Sequence, residues 1–388
     1  MKKLKQRGYF ATRTAGLLAV VAISTSANAA VFTWSPSSNA GQKDWSTAGN
    51  FSPSAPANNG TADLIFTGGF KLNNNMQANY NIAGLSFGAG ASAFTIGNSV
   101  GTTLTIQGNG ITNNSSLNQI INISSIAIGS SQTWSATSGA LTFGGSTISL
   151  GANTLNISGA NNVSIANAIS GAGTLTKSGT GILTLSGNST HGNTIINGGT
   201  VNVTGSHAGA VVVNSDGTLL GTGNITGGMT LNSGASLNPG ASVGILNAGS
   251  SLWNGGATYN FEINNAVGSA GTAWDLVNIT GGLSLGASSG NPFAINIFGN
   301  LLDFDSATGY SWTIASASGG ITGFDASAFN IITDNFANSL DGGTFVVQLL
   351  NSDQDLVLSF VPVPEPSTIA LGVMGGLALI GTAFRRRK

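Results

Sequence analysis

The stretch GAGTLTKSGTGILTLSGNSTHGNTIINGGTVNV, residues 171–203, decides the fold. Two runs stand out in it, Ile182-Leu183-Thr184-Leu185 and Thr200-Val201-Asn202-Val203. Each is short, rich in branched side chains, and bounded by Gly, Ser or Thr. Side chains alternate across a strand, so apolar residues two apart share a face and the polar residue between them faces away. Between the runs lie glycine-rich connections with no apolar residues at helical spacing. The stretch reads as strands joined by tight turns, too short to be self-sufficient.

The same texture spreads outward over residues 101–250. Leu104-Thr105-Ile106, Thr147-Ile148-Ser149-Leu150, Thr154-Leu155-Asn156-Ile157 and Val211-Val212-Val213 are further runs of this kind. They recur roughly every 6 to 12 residues without a helix-length segment between them. Three strands per turn gives rungs of roughly 20 to 25 residues, within the range of repeat solenoids. About seven such rungs, stacked at about 4.8 Å, make a rod about 35 Å long. Phe143 is the only aromatic residue between Ser135 and Leu252, as a narrow bore of Ile, Leu and Val requires. The fold class expected is therefore all-β, a right-handed parallel β-helix (β-solenoid) closed by β caps.

Residues 171–203 resemble the autotransporter-associated β-strand repeat. Gly171-Ala172-Gly173-Thr174-Leu175-Thr176-Lys177 opens it, Leu183-Thr184-Leu185-Ser186-Gly187 continues it, and Gly198-Gly199-Thr200-Val201 closes it. Where that repeat has Tyr-Thr-Gly-Gly-Thr, this chain has Thr190-His191-Gly192-Asn193-Thr194, so His191 replaces an aromatic contact. Leu237-Asn238-Pro239-Gly240-Ala241-Ser242-Val243-Gly244-Ile245-Leu246 resembles the L-x-P-G-x-S-x-G-x-L turn that closes such solenoids. Aromatics then return over residues 251–360, a C-terminal β region in which Phe261-Glu262-Ile263 and Trp274 to Ile279 read as two paired strands. Residues 30–100 carry Trp34, Asp44-Trp45, Asn50-Phe51-Ser52-Pro53 and Ala62-Asp63-Leu64-Ile65-Phe66. That layout resembles the N-terminal region of secreted solenoid proteins with these repeats and reads as a packed β cap over an open sheet end. An aromatic sugar-binding platform is the alternative.

Both ends handle membranes. Residues 1–29 have a basic start (Lys2, Lys3, Lys5, Arg7, Arg13), a short apolar core and an A-x-A site, with cleavage expected after Ala29 and Ala27 at its other small position. At the other end, residues 367–384 form an uncharged span about 27 Å long as a helix, enough to cross a bilayer. Arg385, Arg386, Arg387 and Lys388 follow at once and place that end in the cytoplasm. Pro364, Glu365 and Pro366 stand just before the span, held extended by the prolines. Residues 361–388 resemble the PEP-CTERM sorting signal of Gram-negative bacteria. The resemblance implies passage through the Sec translocon, recognition by an exosortase, transient anchoring in the membrane, and release to the cell surface or matrix.

Between these ends the chain holds three basic residues, Lys43, Lys71 and Lys177, against twelve acidic ones, with no arginine and no cysteine. A body of charge about −9 offers no footprint for nucleic acid. From Leu72 to Thr176, 105 residues contain no Asp, Glu, Lys, Arg or His. General acid–base chemistry has nothing to use there. The remaining solenoid offers Lys177, His191, His207 and Asp216, with Asp216 and both histidines expected in solvent-facing turns. Asp303-Phe304-Asp305 would put two carboxylates on one strand face, a weak calcium candidate that lacks the loop a dedicated site uses. No catalytic, cofactor or metal residues are assigned. The expected function is a non-enzymatic, exported structural or adhesive solenoid with matrix polysaccharide as a candidate partner. The alternatives are a carbohydrate-active β-helix enzyme and a membrane-anchored surface receptor.

Overall fold

A computed structural model describes residues 29–38, 40–98, 101–145 and 147–363. The signal segment up to residue 28, the processing residues Pro364, Glu365 and Pro366, the apolar span 367–384 and Arg385 to Arg387 lie outside the described residues. Among the described residues no helix is long and apolar enough to cross a membrane. The first strand, Ala30–Trp34, begins one residue past the expected cleavage point.

The described chain is all-β, with a single short 3₁₀ turn at Ala326–Ala328. Its strands stack in parallel along three sheets around a shared core. One sheet holds twelve strands in unbroken order, from Asn73–Met76 to Phe329–Phe336. At about 4.8 Å per step this stack is roughly 50 Å long, longer than the sequence suggested. Through the middle of the stack the rung length runs from 17 residues, where Thr194 stands opposite Val211, to 26, where Leu85 stands opposite Ile111. It then grows to 38, where Val277 stands opposite Ala315, because long loops are inserted without breaking the ladder.

Two expected boundaries move. Parallel stacking is not confined to residues 101–250. It starts at Ala30–Trp34, which pairs along its whole length with Ala62–Phe66. Only Phe51–Ser52 runs antiparallel there. Toward the C-terminus, Thr258–Glu262 and Leu276–Ile279 are not partners of each other. The first pairs in parallel with Ser236–Pro239 and Phe293–Gly299, the second with Ile245–Ala248 and Tyr310–Ala317. A lone antiparallel bridge, Ile263 to Trp274, links the two segments. Adjacency in sequence suggested a hairpin, but each strand buries more by continuing its own ladder.

The core consists of columns of residues in register. Trp134, Ile157, Lys177, Ile196, Val213, Leu231, Trp253 and Leu285 occupy one column, each opposite the next. Trp134 stacks on Phe143 with centroids 4.5 Å apart, and Trp253 on Phe293 at 5.2 Å. Outside, asparagines form ladders: Asn214 donates to Asn197 (2.8 Å), Asn232 to Asn214 (2.8 Å) and Asn254 to Asn232 (3.0 Å). A second ladder runs Asn335, Asn296, Asn260, Asn238.

The ends are closed by rings and by a change of strand direction. At the N-terminus Trp34, Trp45, Phe51 and Phe66 pack together, with Trp34 and Trp45 fully buried. They are a packed plug, with no face left for stacking a sugar. At the C-terminus Thr344–Leu350 and Asp355–Val361 form a hairpin, and the latter pairs antiparallel with Tyr310–Ala317. Phe304, Phe345 and Phe360 cover that end.

Gly199, at the close of the 171–203 stretch, has φ +66°, a conformation that L side chains avoid. A Cβ there would lie 2.2 Å from the Gly179 carbonyl oxygen of the rung below. Gly199→Ala is expected to destabilise the protein by at least about 1–2 kcal/mol from the left-handed backbone alone. A urea unfolding midpoint shifted downward at unchanged slope checks this.

Candidate functional site

Residues able to do chemistry are few, and the structure places them in three settings. The first is internal. Lys177 alternates with Leu175 along its strand, so it points inward into the column between Ile157 and Ile196. Its ammonium donates to the carbonyls of Ser178 and Gly179, both at 2.8 Å, and more weakly to that of Gly198. Burial pushes it down to about 8. It ties two turns together from inside and meets no carboxylate.

His191 and His207 correct the sequence expectation. Both are 1% exposed, not solvent-facing. Their rings lie 4.4 Å apart on successive rungs. Thr194, opposite Leu175 and Val211 in its column, holds its hydroxyl 2.9 Å from Nε2 of His191 and 3.3 Å from Nε2 of His207. One hydroxyl can donate to one imidazole and accept from the other, so two neutral rings of opposite tautomer satisfy it. Neither Nδ1 has a well-aligned partner, although the Ile169 and Ala210 carbonyls lie close enough to favour the protonated forms slightly. Burial dominates and pushes His191 down to about 3 and His207 to about 4; the neighbouring His207 adds to the depression of His191.

The second setting is exposed turns. Asp216 sits at φ +65° in a turn, as its neighbours Asn214 and Gly217 suggested. Asp303 and Asp305 lie in a loop, not on a strand. Asp303 accepts from the amides of Ala266 and Val267; Asp305 accepts from the amide of Ala307 and the hydroxyl of Thr308. Asp303 ties its loop to the one at residues 266–267, and Asp305 fastens its own turn. Among the described residues no three His, Asp or Glu side chains gather as metal ligands do.

The third is a groove of about 220 Å³ beside the turn at residues 237–246. Gly240, at φ +88°, donates to the Gly221 carbonyl at 2.8 Å and turns the chain outward. Asp275, 1% exposed, braces that turn: one oxygen accepts from the Gly244 amide and the other from the Glu262 amide, both at 2.8 Å. Burial pushes its carboxyl up to about 8, against the pull of those two amides. Glu262 also lines the groove, half-buried on the outer face, with Asn238, Asn260, Ser242 and Phe298. Glu262 and Asp275 meet through the local antiparallel bridge between Ile263 and Trp274; what the sequence did not show is Phe298, which the parallel ladder brings opposite Glu262 from 36 residues away.

Val361 ends the last strand, and Pro362 and Val363 lead directly from it into the tail. Residues 362–388 match the PEP-CTERM protein-sorting motif. The chain carries an exosortase sorting signal. That motif supports export, processing by an exosortase and a surface or extracellular location. No curated protein matches the chain.

Two outcomes follow from this geometry. The histidines bind protons more readily unfolded (about 6.5) than folded (about 3 and 4). The histidines' contribution to stability is therefore intact above pH 6.5, falls as pH drops from there, and levels off near pH 3. The double variant His191→Phe with His207→Val is expected to remove most of that acid sensitivity, read from urea titrations across the range. Asp275→Ala is expected to destabilise by about 2–3 kcal/mol, because two buried amides lose their acceptor. Faster hydrogen exchange confined to the Gly244 and Glu262 amides checks it.

Proposed function

We propose that this protein is a non-catalytic, right-handed β-solenoid, delivered by an exosortase to the outer surface or exopolysaccharide matrix and acting there as a structural or adhesive rod. The observation that carries the reading is continuity. A stack of parallel rungs some 50 Å long is closed at both ends by rings and runs, through Val361, straight into the sorting motif. A rod whose outer surface is asparagine, serine and threonine offers hydrogen-bonding groups at the regular spacing of its rungs. Its body carries about −9 in charge and no arginine, which favours uncharged or cationic matrix over nucleic acid.

One observation speaks for the enzyme alternative: the groove holds two carboxylates, Glu262 and Asp275. Both oxygens of Asp275 are taken by backbone amides and the side chain is buried. A glycosidase needs two carboxyl groups that reach the sugar. Here only Glu262 is placed to do so, which favours binding over hydrolysis. The membrane-anchored receptor differs from the matrix reading in the fate of the tail.

The test is intact mass and fractionation of the protein from its native host, with and without Glu365→Ala. The expected result is loss of both ends from the wild type, ending near Ala29 and near Pro364 to Pro366, with the protein in the surface or matrix fraction. Glu365→Ala is expected to keep its C-terminal segment and stay in the membrane fraction. A wild type that retains its C-terminal span in the membrane favours the anchored receptor.

A further inference from the structure

The groove beside the 237–246 turn has a chemistry that the architectural role does not use. Its floor is the lower ladder of asparagines. Asn260 donates to Asn238 at 2.8 Å and accepts from Asn296 at 3.1 Å, which leaves each amide a second hydrogen and a second lone pair for a ligand. Phe298 stands directly across the ladder from Glu262 and is half-buried on the outer face, so part of its ring is open. Leu220 supplies an apolar surface at the other end, and Ser242 adds an exposed hydroxyl on the wall. The wall is held rigid by Asp275 through the Gly244 amide.

Glu262 is the group without a task. Its backbone is engaged with Asp275, yet among the described residues its carboxylate has no hydrogen-bond or ion-pair partner, although it is half-buried. No lysine or arginine lines the groove. A half-buried carboxylate without a counter-charge favours an incoming cation or a donor. The volume of about 220 Å³ is below the usual range for drug-sized ligands, about 300–1,000 Å³, and suits one pyranose ring.

We propose that this groove is a saccharide subsite that takes one amino-sugar unit of a matrix polysaccharide. The apolar face of the pyranose lies on Phe298, its hydroxyls meet Asn238, Asn260 and Ser242, and its ammonium meets Glu262. The same residues reject uronic and sulfated sugars, whose charge would face the Glu262 carboxylate with no cation to offset it. The proposal rests on the matrix reading above and names the sugar class which that reading leaves open.

The test is calorimetric titration of the full chain, in a detergent without a sugar headgroup, with the glucosamine tetrasaccharide and with neutral cellotetraose. Glu262→Gln is expected to weaken glucosamine binding about tenfold or more and to leave cellotetraose binding unchanged. Phe298→Ala is expected to weaken both. Both side chains lie on the outer face, and unfolding midpoints equal to the wild type establish that the variants are folded. The proposal is overturned if the wild type binds neither probe, or if Glu262→Gln leaves glucosamine affinity unchanged. Retention in the host's own matrix separates the two levels. Variants retained like the wild type overturn the groove while the matrix reading stands; a wild type that is not retained overturns both.

Discussion

Every rung of this protein depends on the same constraint: a narrow bore shared by a stack of parallel strands must be filled by whatever the rungs above and below leave open. A residue in a column touches its counterparts before and after it more closely than its neighbours in sequence. Burying each Ile, Leu or Val is worth about 1.5–3 kcal/mol relative to exposure, and the columns collect that gain repeatedly. Turns obey the same rule from outside. Gly199 must be glycine because the Gly179 carbonyl of the preceding rung fills the space a side chain would need. The asparagine ladders are the polar form of the rule, since an amide can be donor to one rung and acceptor for the next.

Polar groups inside the bore have to satisfy one another. Lys177 does so by reaching turn carbonyls, and Thr194 by sitting between two imidazoles. Both interrupt apolar neighbours on adjoining rungs near the shortest rung, 17 residues long. Burial in so narrow a bore keeps both imidazoles neutral.

Much of this was legible in the sequence. Branched residues two apart, separated by glycine-rich turns, were sufficient for strand stacking, and Trp34, Trp45 and Phe51 for a packed N-terminal end. The inward placement of Lys177 was also within reach, since Leu175-Thr176-Lys177 alternates like its neighbours; charge type suggested a surface and alternation wins. The ladders beyond residue 250 were hidden by insertions that lengthen the rung to 38 residues and break the visible period. The placing of Phe298 opposite Glu262 was hidden for the same reason, because register across a long insertion cannot be counted from composition.

The central claim is the register of parallel rungs, and the absence of cysteine makes it directly measurable. Thr133 and Thr230 face outward on one sheet and are joined, step by step, through Asn156, Thr176, Ile195 and Val212. Spin labels on cysteines placed at these two positions are expected to give a single narrow distance of about 24 Å, five steps of about 4.8 Å. A broad distribution, or a distance far from that value, would contradict the stacked solenoid and everything built on it.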